Sequence, residues 1–435
     1  MVDSFTIGIL GTVALVALVF VGVRVFYAAA AVGLVGLVVL IGWDAGAGMA
    51  GTIPHSKSVS YTLSVLPMFI LIGFLAFHAG LTEALFDAAR KWLGWVPGGL
   101  AVASVMAATG FAAVSGASTA TAAVFSRVAI PDMLKAGYDP RLAAGVVAAG
   151  GTLATLIPPS ALLVIYAIIV EESVGALLGA GFLPGIASAI IYGVMIVLLA
   201  RWTPKLGRPI GGFSWASRWR SLPGTAPIFA VVVIIFSAMY FGWATPTEAG
   251  ALGAFVVFVL ALVHGMRWRG LKEALLETAK LTVMIFSIIW GVLMFVRFLG
   301  FAGLPDAFAK WVVALDLPPL AILVCILLFY VVLGMFMDAI GMLLLTLPVV
   351  YPAVVALGYD PIWFGIIVVK MAEICLITPP IGLNCFVVNG VRPDIPLTTV
   401  FRGIFPFFLA DVVTVGVFIA FPEIILWLPR TMNMG

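Results

Sequence analysis

The chain has 435 residues, of which 64% are hydrophobic and 9% charged, with a mean hydropathy of +1.25. A soluble domain carries about 25% charged residues, so 22 basic and 19 acidic side chains cannot cover this chain in water, and lipid must be the solvent for most of it. Secreted, cytosolic and nucleic-acid-binding globular classes are thereby excluded, and a net charge of +3 is too small to call for a polyanionic partner.

A spanning helix needs about 20 mostly apolar residues. Qualifying runs begin near 5–23 and 25–43, with Arg24 between them. No basic segment precedes the first run and a second follows at once, so it reads as a span and not as a cleaved signal. A third run lies near 60–79, followed by an amphipathic segment at 82–95 suited to a surface or bracing helix. The stretch 97–180 is apolar but interrupted by Gly, Pro, Ser and Thr, and does not read as simple spans. A run at 181–200 leads into a linker, 201–222, holding Arg201, Lys205, Arg208, Arg218 and Arg220 with no acidic residue. Further runs follow near 224–242 and 248–266, then an amphipathic segment at 267–280 and a run at 281–300. A second interrupted stretch occupies 318–391, and a final run lies near 400–421.

Basic residues mark cytoplasmic loops, which places the linker in the cytoplasm. Counting spans outward from it puts Arg24, Arg90, Lys91, Lys135, Arg141, Arg392 and Arg402 inside. Glu171, Glu172, Asp306, Asp316, Asp360 and the N-terminus fall outside, and Lys57 and Lys310 are minor exceptions. Cys325, Cys375 and Cys385 sit in apolar runs and read as buried thiols, while His55, His78 and His264 lack metal-ligand spacing.

The sequence also repeats itself. GYDP occurs at 137–140 and 358–361, an offset of 221 residues, and a Pro-Pro pair follows 18 residues later each time, at 158–159 and 379–380. Pro131 and Pro352 keep the same offset, and AGLTEALFDAARKW (79–92) resembles AGLPDAFAKW (302–311). Chance recurrence of Gly and Pro does not explain markers in register. With five crossings between 60–79 and 281–300, the two copies are expected to be inverted, the arrangement of secondary transporters whose ligand site lies at the repeat interface.

Before each GYDP lie about 40 apolar residues with a soft centre, SGASTAT (115–121) and GMFMDAIG (334–341). An apolar stretch that ends on the side where it began describes a re-entrant hairpin, tolerated where protein or a water-filled cavity surrounds its tip. The Pro-Pro pairs then break the next helix, because proline cannot donate to the carbonyl four residues back. Pro158 and Pro159 are expected to free the carbonyls of Ala154 and Thr155, and Pro379 and Pro380 those of Cys375 and Leu376. Carbonyl and hydroxyl oxygens suit a hard monovalent cation, and helix N-termini suit a carboxylate. A merely kinked, packed helix is the plainer reading of one Pro-Pro pair; two at equivalent positions, each facing a polar tip, favour the site.

Five charges within the apolar stretches draw attention: Arg127, Arg297, Asp338, Lys370 and Glu373. Lys370 and Glu373 are three apart on a helix and read as a mutually neutralising ion pair. Asp338, at the second tip, is the candidate functional acid, and the two arginines read as snorkelling cations, with a role on a substrate carboxylate as the lesser alternative.

The run FAAVSGASTATAAVFSRVAIPDMLKAGYDPRLAAGVVAAGGTLATLIPPSALLVIYA (111–167) resembles the large membrane (M) subunit of tripartite ATP-independent periplasmic (TRAP) transporters. So do GAGFLPGI (179–186), ATPTEAGALG (244–253), LGMFMDAIGMLLLTLPVVYP (333–352) and EICLITPPIGLN (373–384), and the resemblance spans essentially the whole chain. Departures are few: Ala117 stands where the family often has a second serine, and Ala154 and Cys375 where glycine is frequent. The resemblance implies an all-α polytopic membrane protein with about ten spans, two re-entrant hairpins and two discontinuous helices, working as an inverted-repeat elevator. It implies a bacterial inner-membrane importer that couples Na+ to a small organic acid, with a small membrane (Q) subunit and a periplasmic substrate-binding protein as partners, and no enzyme activity or other cofactor.

Carried onto this sequence, the first sodium site would use Ser115, Gly116 and Ser118 with the backbone at Ala154, Ile157 and Pro159. The second would use Gly334 and Asp338 with the backbone at Cys375, Thr378 and Ile381, and substrate would meet Thr119, Ser160 and Asn384. Residues 1–95 would form scaffold spans and an arm helix, and 96–180 the first transport repeat. Residues 181–316 would form scaffold, the basic linker and a second arm, 317–395 the second transport repeat, and 396–435 the C-terminal span. The main alternative is an ion-coupled carboxylate carrier that works without a binding protein. An intramembrane hydrolase is disfavoured, since the two GYDP aspartates fall on opposite faces and no base accompanies Ser115; an ATP-driven pump is disfavoured by the lack of a phosphate loop.

Overall fold

The computed structural model describes residues 3–432, and these form helices joined by turns, with no strand among them. In hydrocarbon, backbone amides and carbonyls have no water to bond, and a helix satisfies them within its own segment. Among the described residues, six helices are long and apolar enough to cross a membrane: Tyr61–His78, Val174–Trp202, Pro246–Val263, Trp268–Ala302, Ala339–Ala356 and Leu397–Ala420. The bent pair Trp215–Gly224 and Ala226–Tyr240, at 51° to each other, makes a seventh if it is one span. Ser4–Phe20 and Val25–Ile41 occupy the first two expected runs with 17 residues each. At 1.5 Å per residue each covers about 25 Å, short of a hydrocarbon core of about 30 Å.

Two stretches depart from the expected elements. Residues 267–280 do not form a separate surface helix; they open the single 35-residue helix Trp268–Ala302. Trp43–Ser58 is also helical despite its mixed polarity and internal Pro54. The expected run 181–200 starts earlier, in Val174–Trp202, where the Ser173 hydroxyl accepts from Ala176 N at 3.3 Å.

The repeat is visible as two matching series of elements. The first is a hairpin, Gly99–Ser115 and Ser118–Lys135, then a broken helix, Pro140–Thr152 and Ala161–Val170. The second is a hairpin, Pro319–Gly334 and Ala339–Ala356, then Pro361–Ile377 and Leu383–Val391. The two GYDP segments do the same local work. Gly137 (φ +78°) and Gly358 (φ +87°) take the left-handed conformation just past the hairpin helix, where a side chain would be strained. Asp139 then accepts from Arg141 N (2.8 Å), and Asp360 from Ile362 N (2.8 Å) and Trp363 N (2.9 Å), so each caps the next helix. Pro140 and Pro361 follow at the first helical position, where a missing N–H costs nothing.

Close packing relies on glycine at a few crossings. A β-carbon at Gly33 would fall 2.6 Å from the Met294 and Phe295 backbone, so Val25–Ile41 lies directly against Trp268–Ala302. Gly145 and Gly403 face each other so closely that either β-carbon would overlap the other helix's backbone, fixing Pro140–Thr152 onto Leu397–Ala420. The basic linker is stitched to the first repeat and to the end of the arm helix Leu81–Leu93: Asp139 N donates to Leu206 O (3.1 Å), the Tyr138 hydroxyl to Arg208 O (2.9 Å), and Ile210 N to Gly94 O (2.7 Å). The arm helix Leu81–Leu93 joins the first hairpin through Arg90 and Asp132, 3.1 Å apart.

Candidate functional site

Each hairpin tip meets the broken helix of its own repeat. The first tip turns at Gly116, which is left-handed (φ +57°) and so close to the break that a β-carbon there would overlap the Pro159 carbonyl. The second hairpin's Gly334 is pressed against Cys375, whose thiol would overlap any side chain at that position. Glycine is required at both places by contact, and at the first by conformation as well. Both Pro-Pro bonds at the breaks are cis.

Between the tips and the opposing helices lies a cavity of about 640 Å³. One wall carries Ser115, Gly116, Ser118 and Thr119 of the first tip, Thr155 and Pro159 of the first break, and Asp338 of the second tip. The other wall carries Phe26, Phe69, Phe74 and Phe77, with Arg24 at the junction of the first two helices. Hydroxyls, aromatic rings, one arginine and one aspartate among the lining residues make a largely apolar pocket with a few polar groups, the make-up of a small-molecule site. A larger hollow of about 830 Å³ lies between Ser4–Phe20 and Val25–Ile41, but apart from Ser4 its lining side chains are apolar.

The first predicted set is brought together more completely than the second. Ser115, Gly116, Ser118 and Pro159 share the cavity wall, whereas Ala154 and Ile157 are buried behind it. The Ser115 hydroxyl is 2.9 Å from that of Thr121, a partner the sequence reading missed. In the second set, Gly334 and Cys375 touch and Asp338 lines the cavity while accepting from Gly341 N at 3.1 Å. Thr378 is turned back to donate to Ile374 O at 2.6 Å, and Ile381 is exposed outside the lining.

The substrate candidates separate likewise. Thr119 lines the cavity. Ser160 is buried, donates to the Thr155 carbonyl and accepts from Leu163 N at 3.3 Å, so it caps the second half-helix. The expectation that the Thr155 carbonyl is left unpaired by Pro159 is therefore corrected: Ser160 takes one of its lone pairs, and only the other is open to a ligand. The Cys375 carbonyl likewise meets Thr378 N, at a long 3.4 Å. Asn384 is fully buried; its amide donates to Ser118 Oγ (2.8 Å) and Ala148 O (3.0 Å), tying the second broken helix to both first-repeat elements. Gly382 gives Leu383–Val391 no side-chain cap, so the amides that open this half-helix have no side-chain acceptor, and Leu383 lines the cavity.

Behind the breaks, Lys370 and Glu373 pair at 2.5 Å as expected, but a third charge joins them. Lys370 Nζ is also 2.7 Å from Asp411 Oδ1, which accepts from the Tyr192 hydroxyl at 2.6 Å. Glu373 Oε1 accepts from Thr155 Oγ1 at 2.7 Å, so the cluster reaches the first break. Asp411 was legible as the sole acid in the run 400–421 and was overlooked because its partners lie on other helices. Arg127 is exposed, and neither it nor Arg297 lines the cavity.

A sequence profile described as "Tripartite ATP-independent periplasmic transporter, DctM component" matches residues 12–424. The chain is 37% identical over 382 residues to the C4-dicarboxylate TRAP transporter large permease protein of Pseudomonas aeruginosa, covering 87% of this chain and 88% of that one. It is 31% identical to the sialic acid TRAP transporter large permease protein of Vibrio cholerae, covering 85% and 87%. Among solved structures, the Alcanivorax borkumensis YdaH transporter superposes with a TM-score of 0.59 over 88% of this chain and 90% of that chain, at 16% identity, a likeness of fold alone.

Proposed function

The chain belongs to the family of the DctM component of TRAP transporters, and from that membership we propose that it is the sodium-coupled translocation subunit for a small organic acid in a bacterial inner membrane. The observation that carries this reading is the pair of hairpin tips, each pressed on the helix break of its own repeat around one shared cavity. At the first tip, Ser115, the Gly116 backbone, Pro159 O and the remaining lone pair of Thr155 O supply hard oxygen donors for a monovalent cation. At the second, the Gly334 backbone, Cys375 O and Asp338 do so.

The substrate carboxylate sits between them, on the hydroxyl of Thr119 and the uncapped amides at Leu383, with Arg24 supplying long-range attraction. The hairpins and broken helices move together as the transport unit past the helices of the N-terminal and central segments. A small membrane subunit widens that scaffold, and a periplasmic binding protein delivers the acid. Each sodium crossing 100 mV contributes roughly 2.3 kcal/mol, so two ions contribute about 4.6 kcal/mol, which makes two a sensible minimum for carrying a dianion inward.

The test is uptake of radiolabelled C4-dicarboxylates and sialic acid into proteoliposomes holding both membrane subunits, with the binding protein outside. Uptake should require an inward sodium gradient and collapse without the binding protein. Equal uptake with potassium in place of sodium overturns the coupling, and uptake of free acid without the binding protein favours a self-sufficient carrier.

A further inference from the structure

Arg201, Lys205, Arg208, Arg218 and Arg220 share the linker 201–222 with no acidic residue. None of the five forms a salt bridge among the described residues. Acids on the elements bonded to the linker are already engaged. Asp87 pairs with Arg90 (2.8 Å) and Lys91 (2.5 Å), Asp132 with Arg90 (3.1 Å), and Asp139 caps its own helix at Arg141 N. Glu83 stands in the first turn of the arm helix, nine residues from Trp92 in its last turn.

Indole rings gather beside these cations. Trp92 meets Trp219 and Trp215 edge-on, with ring centroids 5.5 and 6.3 Å apart, and its Nε1 donates to Arg218 O at 3.2 Å. Arg218 lays its guanidinium over Trp215, Cζ 4.7 Å from the ring centroid, and its Nε is buried with no partner among the described residues. Trp95, Trp202, Trp215, Trp219 and Arg220 are exposed. A half-buried guanidinium fixed on a ring and lacking a carboxylate calls for an anion. The exposed indoles call for one with an apolar body. Tryptophan settles at the headgroup level of a bilayer, and basic clusters next to a spanning helix attract anionic lipid. The placement agrees, because the linker leaves the spanning helix Val174–Trp202 and leads into the apolar helix Ala226–Tyr240.

We propose that Trp92, Trp215, Trp219, Arg218 and Arg220 form a binding site for the headgroup of an anionic phospholipid in the leaflet that the linker faces. The guanidinium groups take the phosphate, and the exposed indoles cover the glycerol and the upper acyl chains. The arm helix and the linker both build this seat, so a bound headgroup holds the two together at the membrane surface. The site is separate from the cavity and needs neither sodium coupling nor any particular transported acid.

The experiment is native mass spectrometry of the full chain, stripped of lipid in detergent and titrated with phosphatidylglycerol, phosphatidylcholine or inorganic phosphate. A single phosphatidylglycerol should be retained with a preference over phosphatidylcholine of roughly tenfold. R218Q/R220Q should abolish that preference, whereas R267Q/R269Q, which removes two cations from a different segment, should keep it. Equal affinity for the two lipids, equal loss in both variants, or full competition by inorganic phosphate would each overturn the assignment. A photoactivatable phosphatidylglycerol puts the same question to the unaltered sequence, independently of how R218Q/R220Q folds. It should label peptides holding residues 92–95 and 215–220, and a phosphatidylcholine analogue should not. Labelling of other peptides alone, or equal labelling by both lipids, rejects the site.

Discussion

Gly116 carries two constraints at once. Its backbone is left-handed, which costs an L-residue about 1–2 kcal/mol, and its missing side chain is what lets the tip reach Pro159 O. G116A should therefore lower the melting temperature of the purified protein and displace the tip, overpacking that typically costs about 1–3 kcal/mol. Sodium-dependent uptake should fall well below what the loss of folded protein accounts for. Uptake that merely tracks the amount of folded protein would remove the tip from the ion path. Both glycines at the tips were visible in the sequence as part of soft centres, but the reason for each was not. Pro159 lies 43 residues from Gly116 and Cys375 lies 41 from Gly334, and nothing in the local pattern announces either contact.

The helices that follow the two hairpins begin by the same device, which makes their ends testable separately from the site. D360A removes the acceptor for Ile362 N and Trp363 N and should destabilise by about 1 kcal/mol, while D360N keeps a good cap and should cost little. Thermal melting in detergent would register the difference; equal melting of the two variants would mean that the cap contributes nothing. At this scale the sequence was informative at the Gly and Pro positions that recur in both repeats. The hairpins, both breaks and both caps are marked by GYDP and Pro-Pro, whose conformational limits are local. It was least informative where chemistry changed without a breaker. From 268 to 302 no proline interrupts the chain, so the amphipathic segment and the span became one helix. Trp43–Ser58 forms although Pro54 and its polar residues argue against it.

Across the whole molecule, the two repeats are interlocked and not simply adjacent. Asn384 bonds Ser118 and Ala148, Glu373 bonds Thr155, the Tyr166 hydroxyl donates to Pro361 O at 2.8 Å, and that of Tyr351 to Glu172 at 3.0 Å. N384A would strand buried groups on both first-repeat elements, a loss of about 1–3 kcal/mol for each one left unpartnered. N384A and S118A should be non-additive by at least about 0.5 kcal/mol in denaturant or thermal unfolding, whereas strict additivity would deny the tie. None of these partnerships was readable beforehand. Asn384 and Ser160 read as ligands because polar residues in apolar runs invite that reading, and the structure adds the internal partners that each one holds.

That interlocking bears on biosynthesis. Ser118 and Asn384 are 266 residues apart, and at about 5–20 residues per second a ribosome needs roughly 13–53 s to deliver the second after the first. Throughout that interval the early half must reside in the bilayer with its matching surface exposed, a period in which an insertase or chaperone has something to hold.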